Sequence, residues 1–129
     1  MRYINTDKRT AVIFCGADIA RYDYLKEIDF SAAYIICADS GIRHARALNL
    51  KPNLVVGDHD SWHGEYPEYA EKIECNPKKD DTDTGLCINK AIELGFDEII
   101  LFGATGGRLD HEFSHYCLMM GALKRGVTI

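Results

Sequence analysis

The sequence predicts an α/β domain, a mostly parallel sheet with helices on both faces, and three observations carry that expectation. The chain has 129 residues, 47% hydrophobic and 27% charged, the size and composition of one packed domain. Short apolar runs rich in β-branched residues alternate with segments of helical period. Each junction between them carries Gly, Asp or Asn, the residues that open turns and end helices. Strands separated by helical crossovers pair in parallel, which gives a Rossmann-like, doubly wound sheet.

Taken in order, strands are predicted at 11–15, 34–38, 54–57, 72–75, 98–102 and 127–129, with helices between them. The clearest helix runs from Asp83 to Leu94. Ile88, Ala91 and Ile92 fall on one face, Thr82 or Asp83 caps the start, and Gly95 ends it. A second helix starts near Asp110, where Phe113, Tyr116, Cys117 and Met120 recur at helical spacing and are expected to face the core. Residues 127–129 follow Gly126 as the opening of a strand, so 1–129 is expected to be one domain truncated at its C-terminal end.

Composition excludes several classes of function. With 15 Lys and Arg against 20 Asp and Glu, the net charge is -5, which disfavours a general nucleic-acid binder. The apolar runs fall far below the roughly 20 residues of a membrane-spanning helix. The N-terminus MRYINTDKRT lacks the apolar stretch of a secretory signal. Five widely spaced cysteines without a CxxC pair suggest neither a disulfide framework nor a thiolate zinc site. Reduced thiols in a cytoplasmic protein are expected.

Ligands of open α/β sheets bind beyond the carboxyl ends of the strands, so the residues following each apolar run are the informative ones. These are Asp39-Ser40-Gly41, then Gly57 to Ser61, then the acidic stretch from Lys78 to Asp83, and finally Gly103 to Asp110. All four are expected to converge on one rim. Asp58 and Asp60 stand one residue apart, so in an extended segment both carboxylates point the same way and can share a cation. Oxygen-only donors suit Mg²⁺ beside phosphates, and Asp80 and Asp83 on a neighbouring strand end add charge that such an ion would neutralise. A pair of solvated loop aspartates is the plainer alternative.

Between Gly103 and Arg108 three glycines and Thr105 precede a helix, an arrangement able to aim N–H groups at an anion, with Arg108 as a bidentate partner. A simple tight turn explains the same residues, and neither GxGxxG nor GxxxxGK[ST] is present. His111 to His115 matches HExxH, but no Asp, Glu or His follows to complete a zinc site, and Leu118 stands where the extended motif needs Gly. Chance helix-surface histidines are the better reading. Trp62, next to His63 just after the acidic loop, is able to stack on a base, but anchoring the loop to the core is the commoner use and Trp62 is left out of the candidate site.

Four motifs now stand in order: ADSG at 38–41, GDHDS at 57–61, KDDTDT at 79–84 and FGATGGRLDH at 102–111. Together they resemble the successive motifs of the thiamine pyrophosphokinase family. The resemblance implies a Rossmann-like catalytic domain followed by a β-sandwich domain that is absent here, and a homodimer. It also implies Mg²⁺-dependent transfer of the diphosphate of ATP to the hydroxyl of thiamine, giving thiamine diphosphate and AMP. Carried over, Asp58, Asp60 and Asp83 resemble the metal-binding carboxylates, and with Arg108 and Asp110 they form the implied catalytic set. Asp39, Gly41, Asp80, Thr82, Thr105, Gly106 and Gly107 are the implied nucleotide contacts. Ser40, His59 and Gly85 depart from the family pattern without removing a carboxylate. Two other functions fit the same residues: a non-catalytic nucleotide-binding module, and a Mg²⁺-dependent phosphohydrolase with water as acceptor.

Overall fold

A computed structural model describes residues 2–3, 9–17, 19, 22–57, 71–74, 83–104 and 109–129, with backbone alone at 2–3, 39, 57, 71–74, 83 and 109–115. In chain order the elements are β1 (Arg2–Tyr3), β2 (Thr10–Phe14), β3 (Ile28–Asp29), β4 (Tyr34–Ala38), α1 (Ile42–Ala47), β5 (Leu54–Gly57), β6 (Glu71–Glu74), α2 (Asp83–Glu93), β7 (Glu98–Phe102) and α3 (Leu109–Lys124). Single 3-10 turns lie at Leu25–Glu27 and Asp39–Gly41. The main sheet has five strands in the order β6-β5-β4-β2-β7, all parallel, and β1 pairs separately with β3. The chain therefore steps outward from β2 through β4 and β5 to β6, and returns through α2 to place β7 on the other flank of β2.

Period-two alternation sorts the strand residues onto two faces. Ala11, Ile13, Ile36, Ala38, Leu54 and Val56 pack with Cys87, Ile88 and Ala91 of α2 and Ala122 of α3. Val12, Phe14, Ile35, Cys37 and Val55 pack with Ile42 and Ala45 of α1 on the opposite side. Because both faces are covered, β2 is buried at every position, and its apolar run is unbroken rather than alternating.

Among the described residues, α1, α2 and α3 end in the same way. Asn49 (φ 56°), Gly95 (φ 86°) and Gly126 (φ 81°) adopt the left-handed conformation just past α1, α2 and α3. The next residue then folds back: Leu50 N–H donates to Ala45 O (2.8 Å), Phe96 N–H to Ala91 O (3.1 Å) and Val127 N–H to Ala122 O (3.1 Å). Each cap satisfies carbonyls that the helix end leaves open and turns an apolar side chain toward the helix it follows. Among the described residues no helix is long and apolar enough to cross a membrane.

Strands 34–38, 54–57 and 98–102 fall where the sequence places them, and the expected strands at 11–15 and 72–75 are each displaced by one residue. The expected strand at 127–129 is reduced to a single parallel bridge between Thr128 and Glu98 on the outer side of β7. Two expectations need correction. Among the described residues between β2 and β4 there is no α-helix. Leu25 and Phe30 are both buried although they stand five residues apart, a spacing that one helix face does not offer, and Asp29 Oδ1 accepts the Ser31 N–H (2.9 Å) in a side-chain-closed turn.

The inward face of α3 is the second correction. Tyr116 and Met120 are 47% and 61% exposed and Cys117 is exposed too, whereas Ala122 is 2% exposed and Leu118 packs on the core. The C-terminal cap decides this. Val127 folds back on Ala122, and Thr128 is bonded to β7 through Ile99 N–H to Thr128 O (2.7 Å), so the 118/122 side is turned to the sheet. The side chain of Phe113 lies outside the described residues.

Candidate functional site at the carboxyl edge of the sheet

Five parallel strands bring their carboxyl ends to one edge, and the exit of β2 through Cys15, Gly16 and Ala17 is its hub. Cys15 N–H donates to Phe102 O of β7 (2.7 Å) and Ala17 N–H to Gly103 O (2.9 Å). From α1, Arg43 Nη2 donates to Gly16 O (3.1 Å) and His44 Nε2 to Ala17 O (2.8 Å). Arg43 Nη1 also reaches Ser40 O (3.1 Å) and Ser40 Oγ (3.3 Å), which ties the exit of β4 to that of β2. The Thr84 side chain hydrogen-bonds the Cys15 thiol and so holds the first turn of α2, with the backbone of Asp83, against the same edge.

Close backbone approach makes two glycines obligatory here. A Cβ on Gly41 would lie 2.0 Å from Phe14 O, although its φ of -57° suits any residue. Gly103 combines φ +72° with a Cβ position 2.8 Å from Cys15 O and 2.9 Å from Ala17 O. The glycines at the exits of β4 and β7 therefore let those two turns close on β2.

His44 is buried, 1% exposed. A carbonyl only accepts, so Nε2 carries the proton given to Ala17 O, and in the neutral ring Nδ1 accepts from the Tyr22 hydroxyl at 2.6 Å. The ring stands beside Tyr22 and Phe14, with centroids 5.7 and 6.5 Å away. Two thiols also sit behind the rim. Burial pushes the Cys15 thiol up to about 11, partly opposed by the Thr84 hydrogen bond. Burial, then the nearness of Cys15, pushes Cys37 to about 12. Both stay protonated at neutral pH and are poor nucleophiles there. Among the described residues, Cys15, Cys37, Cys87 and Cys117 form no disulfide.

Of the expected site residues, Asp39 and Gly41 form the 3-10 turn that leaves β4, and Asp83 and Asp110 lie in the first turns of α2 and α3. The structure thus brings the backbones of Asp39, Gly41 and Asp83 to the carboxyl edge. Gly41 turns its missing side chain toward β2. Asp58, Asp60, Asp80, Thr82, Thr105, Gly106, Gly107 and Arg108 lie outside the described residues, as do Trp62, His63 and the side chains of His111 and His115. Among the described residues no group of three acidic, His or Cys side chains forms a metal site. Sequence reading missed Tyr22, Arg43, His44 and Thr84 as parts of the rim. The position of Arg43 and His44 just after ADSG, and of Thr84 at the end of KDDTDT, hinted at three of them.

These features define an α/β domain with a five-stranded parallel sheet, whose strands all end at the edge where sheets of this class hold their ligands. Residues 25–129 match the family described as thiamin pyrophosphokinase, catalytic domain, and the chain belongs to that family. Among solved structures it is similar to thiamine pyrophosphokinase from Bacillus subtilis at 25% identity and a TM-score of 0.76, with 92% of this chain and 58% of that one covered. It is similar to a probable thiamine pyrophosphokinase from Staphylococcus saprophyticus at 28% identity and a TM-score of 0.65, with 93% and 63% covered. Thiamin pyrophosphokinase from Candida albicans shares the fold, at 15% identity and a TM-score of 0.64, with 97% and 59% covered. The chain thus spans less than two thirds of each neighbour. No curated relative matches it.

Proposed function

We propose that residues 1–129 are the ATP-binding catalytic domain of a thiamine pyrophosphokinase, a Rossmann-like doubly wound unit that moves the diphosphate of ATP to thiamine. In that reaction the thiamine hydroxyl oxygen bonds to the β-phosphorus as the link to the α-phosphate breaks, and AMP leaves. One observation supports the reading most. Each of the four motifs is anchored in a described element at the rim: ADSG at the exit of β4, GDHDS on the last residue of β5, KDDTDT running into α2, and FGATGGRLDH running from β7 into α3.

The donor chemistry fits a hard divalent ion. Asp58 directly follows the end of β5, and Asp83 opens α2 where Thr84 meets Cys15, so Asp58, Asp60 and Asp83 offer carboxylate oxygens of the type Mg²⁺ takes. Bound there, Mg²⁺ would neutralise phosphate charge. Arg108 and the amides of Thr105, Gly106 and Gly107 hold the phosphates in this reading, with Asp39, Gly41, Asp80 and Thr82 as the other nucleotide contacts. Asp110 orients the thiamine hydroxyl. A homodimer in the cytoplasm completes the proposal.

Titration of this chain with ATP by calorimetry, with and without Mg²⁺, is the first test, and Mg²⁺-dependent binding is expected. Binding in neither condition refutes a nucleotide site in this domain. In the whole enzyme, Asp58→Asn and Asp83→Asn are expected to abolish thiamine-dependent AMP release. ATP bound without AMP release would instead make the domain a non-catalytic module, and ATP cleaved without thiamine would make it a phosphohydrolase.

A further inference from the structure

We propose that Tyr22 and His44 are positioning residues for the nucleotide rim, acting by fixing the turn that leaves β2; this rests on the ATP-binding reading above. The hydrogen bonds run in one direction. The Tyr22 hydroxyl donates to Nδ1 of His44 at 2.6 Å, which fixes the Nε2–H tautomer, and Nε2 then donates to Ala17 O at 2.8 Å. Ala17 is held on its other side by its own N–H, which donates to Gly103 O at 2.9 Å. Gly103 is the first residue after β7, and its Cβ position lies 3.2 Å from His44 Nε2. The imidazole therefore sits where the turns after β2 and β7 meet. This is also where the order of strands reverses, with the chain stepping one way from β2 to β4 and the other way to β7.

Packing alone does not require these groups. His44 sits beside the rings of Phe14 and Tyr22, and Phe14 in turn stacks on Phe102, so an apolar side chain would bury there as well. A buried imidazole with both nitrogens engaged sets the direction of one carbonyl, and a rim that binds phosphates by backbone amides depends on the direction of its peptides. Gly103 and Ala104 follow Phe102 in FGATGGRLDH, so the relay fixes the point from which the proposed phosphate turn departs.

Tyr22→Phe is the sharpest test, because it keeps the ring and removes only the donor. In the unsubstituted chain, ¹⁵N NMR of the imidazole is expected to show protonated Nε2 and unprotonated Nδ1; the opposite tautomer overturns the relay. Tyr22→Phe is expected to weaken Mg²⁺-ATP binding about tenfold, equal to about 1.4 kcal/mol, while the melting temperature moves by only a few degrees. His44→Leu is expected to weaken it further, and His44→Gln, which keeps a donor for Ala17 O, to recover most of the loss. Affinity within twofold in both Tyr22→Phe and His44→Leu, measured well below their melting points, reduces the pair to core packing and overturns the inference. Amide exchange at Ala17 separates this failure from that of the ATP reading. If the unsubstituted chain binds no ATP, the proposed function falls, and the relay stands or falls on whether Tyr22→Phe speeds Ala17 exchange at least tenfold while β2 stays protected.

Discussion

A single added methyl at Gly41 tests how closely the exit of β4 is pressed against β2. In Gly41→Ala the new carbon would lie 2.0 Å from Phe14 O, 2.7 Å from Phe14 C and 3.1 Å from Cys15 O. Ordinary contact begins at 3.4 Å, so the nearest pair overlaps by about 1.4 Å. Neither partner is a side chain able to swing aside. Phe14 is in the fully buried central strand, hydrogen-bonded on both flanks, and Gly41 leads into α1. Relief requires moving α1 off the sheet, which loosens Ile42 and Ala45 from Phe14 and Val55. Overpacking against backbone belongs at the upper end of the usual range, about 3 kcal/mol. For a chain of this length that lowers the melting temperature by about 10–15 °C. Thermal and urea unfolding followed by circular dichroism measure it. A melting temperature within about 3 °C of the parent would refute the close approach and return Gly41 to a purely ligand-contacting role.

Other glycines separate strain from space. Gly121, mid-helix with nothing within 4 Å of its Cβ position, is expected to gain about 0.5–1 kcal/mol on mutation to Ala, whereas Gly103→Ala should lose about 2–3 kcal/mol, both read from urea midpoints. The corrected face of α3 predicts that Ala122→Asp lowers stability by about 3 kcal/mol or more while Met120→Asp stays within about 0.5 kcal/mol. Alkaline pH should weaken the fold through Cys15. The folded protein releases this proton only near 11, against 9.0 in the unfolded chain, so the unfolded state deprotonates first and stability falls between those values. Unfolding free energies of the parent should drop by about 2 kcal/mol more than those of Cys15→Ala between pH 8 and 11. Equal losses in the two proteins would disprove that assignment.

The strands were legible because buried parallel strands are written as short apolar runs, and those at 34–38, 54–57 and 98–102 begin and end where the runs do. Gly95 was legible as a helix end because a left-handed residue is needed there. The acidic and glycine-rich strand ends marked the rim for a related reason: parallel pairing puts every residue that follows a strand on one edge. Local spacing did not reveal which face of α3 turns inward, since Leu118 and Ala122 are as consistent with helical period as Tyr116 and Met120. That choice was made by Val127 and Thr128, which bind α3 to the edge of the sheet.

By itself, then, the amino-acid sequence determined the α/β class, the position of most elements and the four motifs that mark the family, because each depends on residues close together along the chain. Only the tertiary structure decided the strand order, the inward face of α3 and the links from Thr84, Arg43 and His44 to the exit of β2. Cys15 and Thr84 are far apart in sequence, and the hydrogen bond between them forms only when α2 has packed across β2. Gly41 shows both levels at once. Its place in ADSG was visible in the sequence, but its physical necessity lies in the carbonyl of Phe14, which β2 brings to within a methyl's reach.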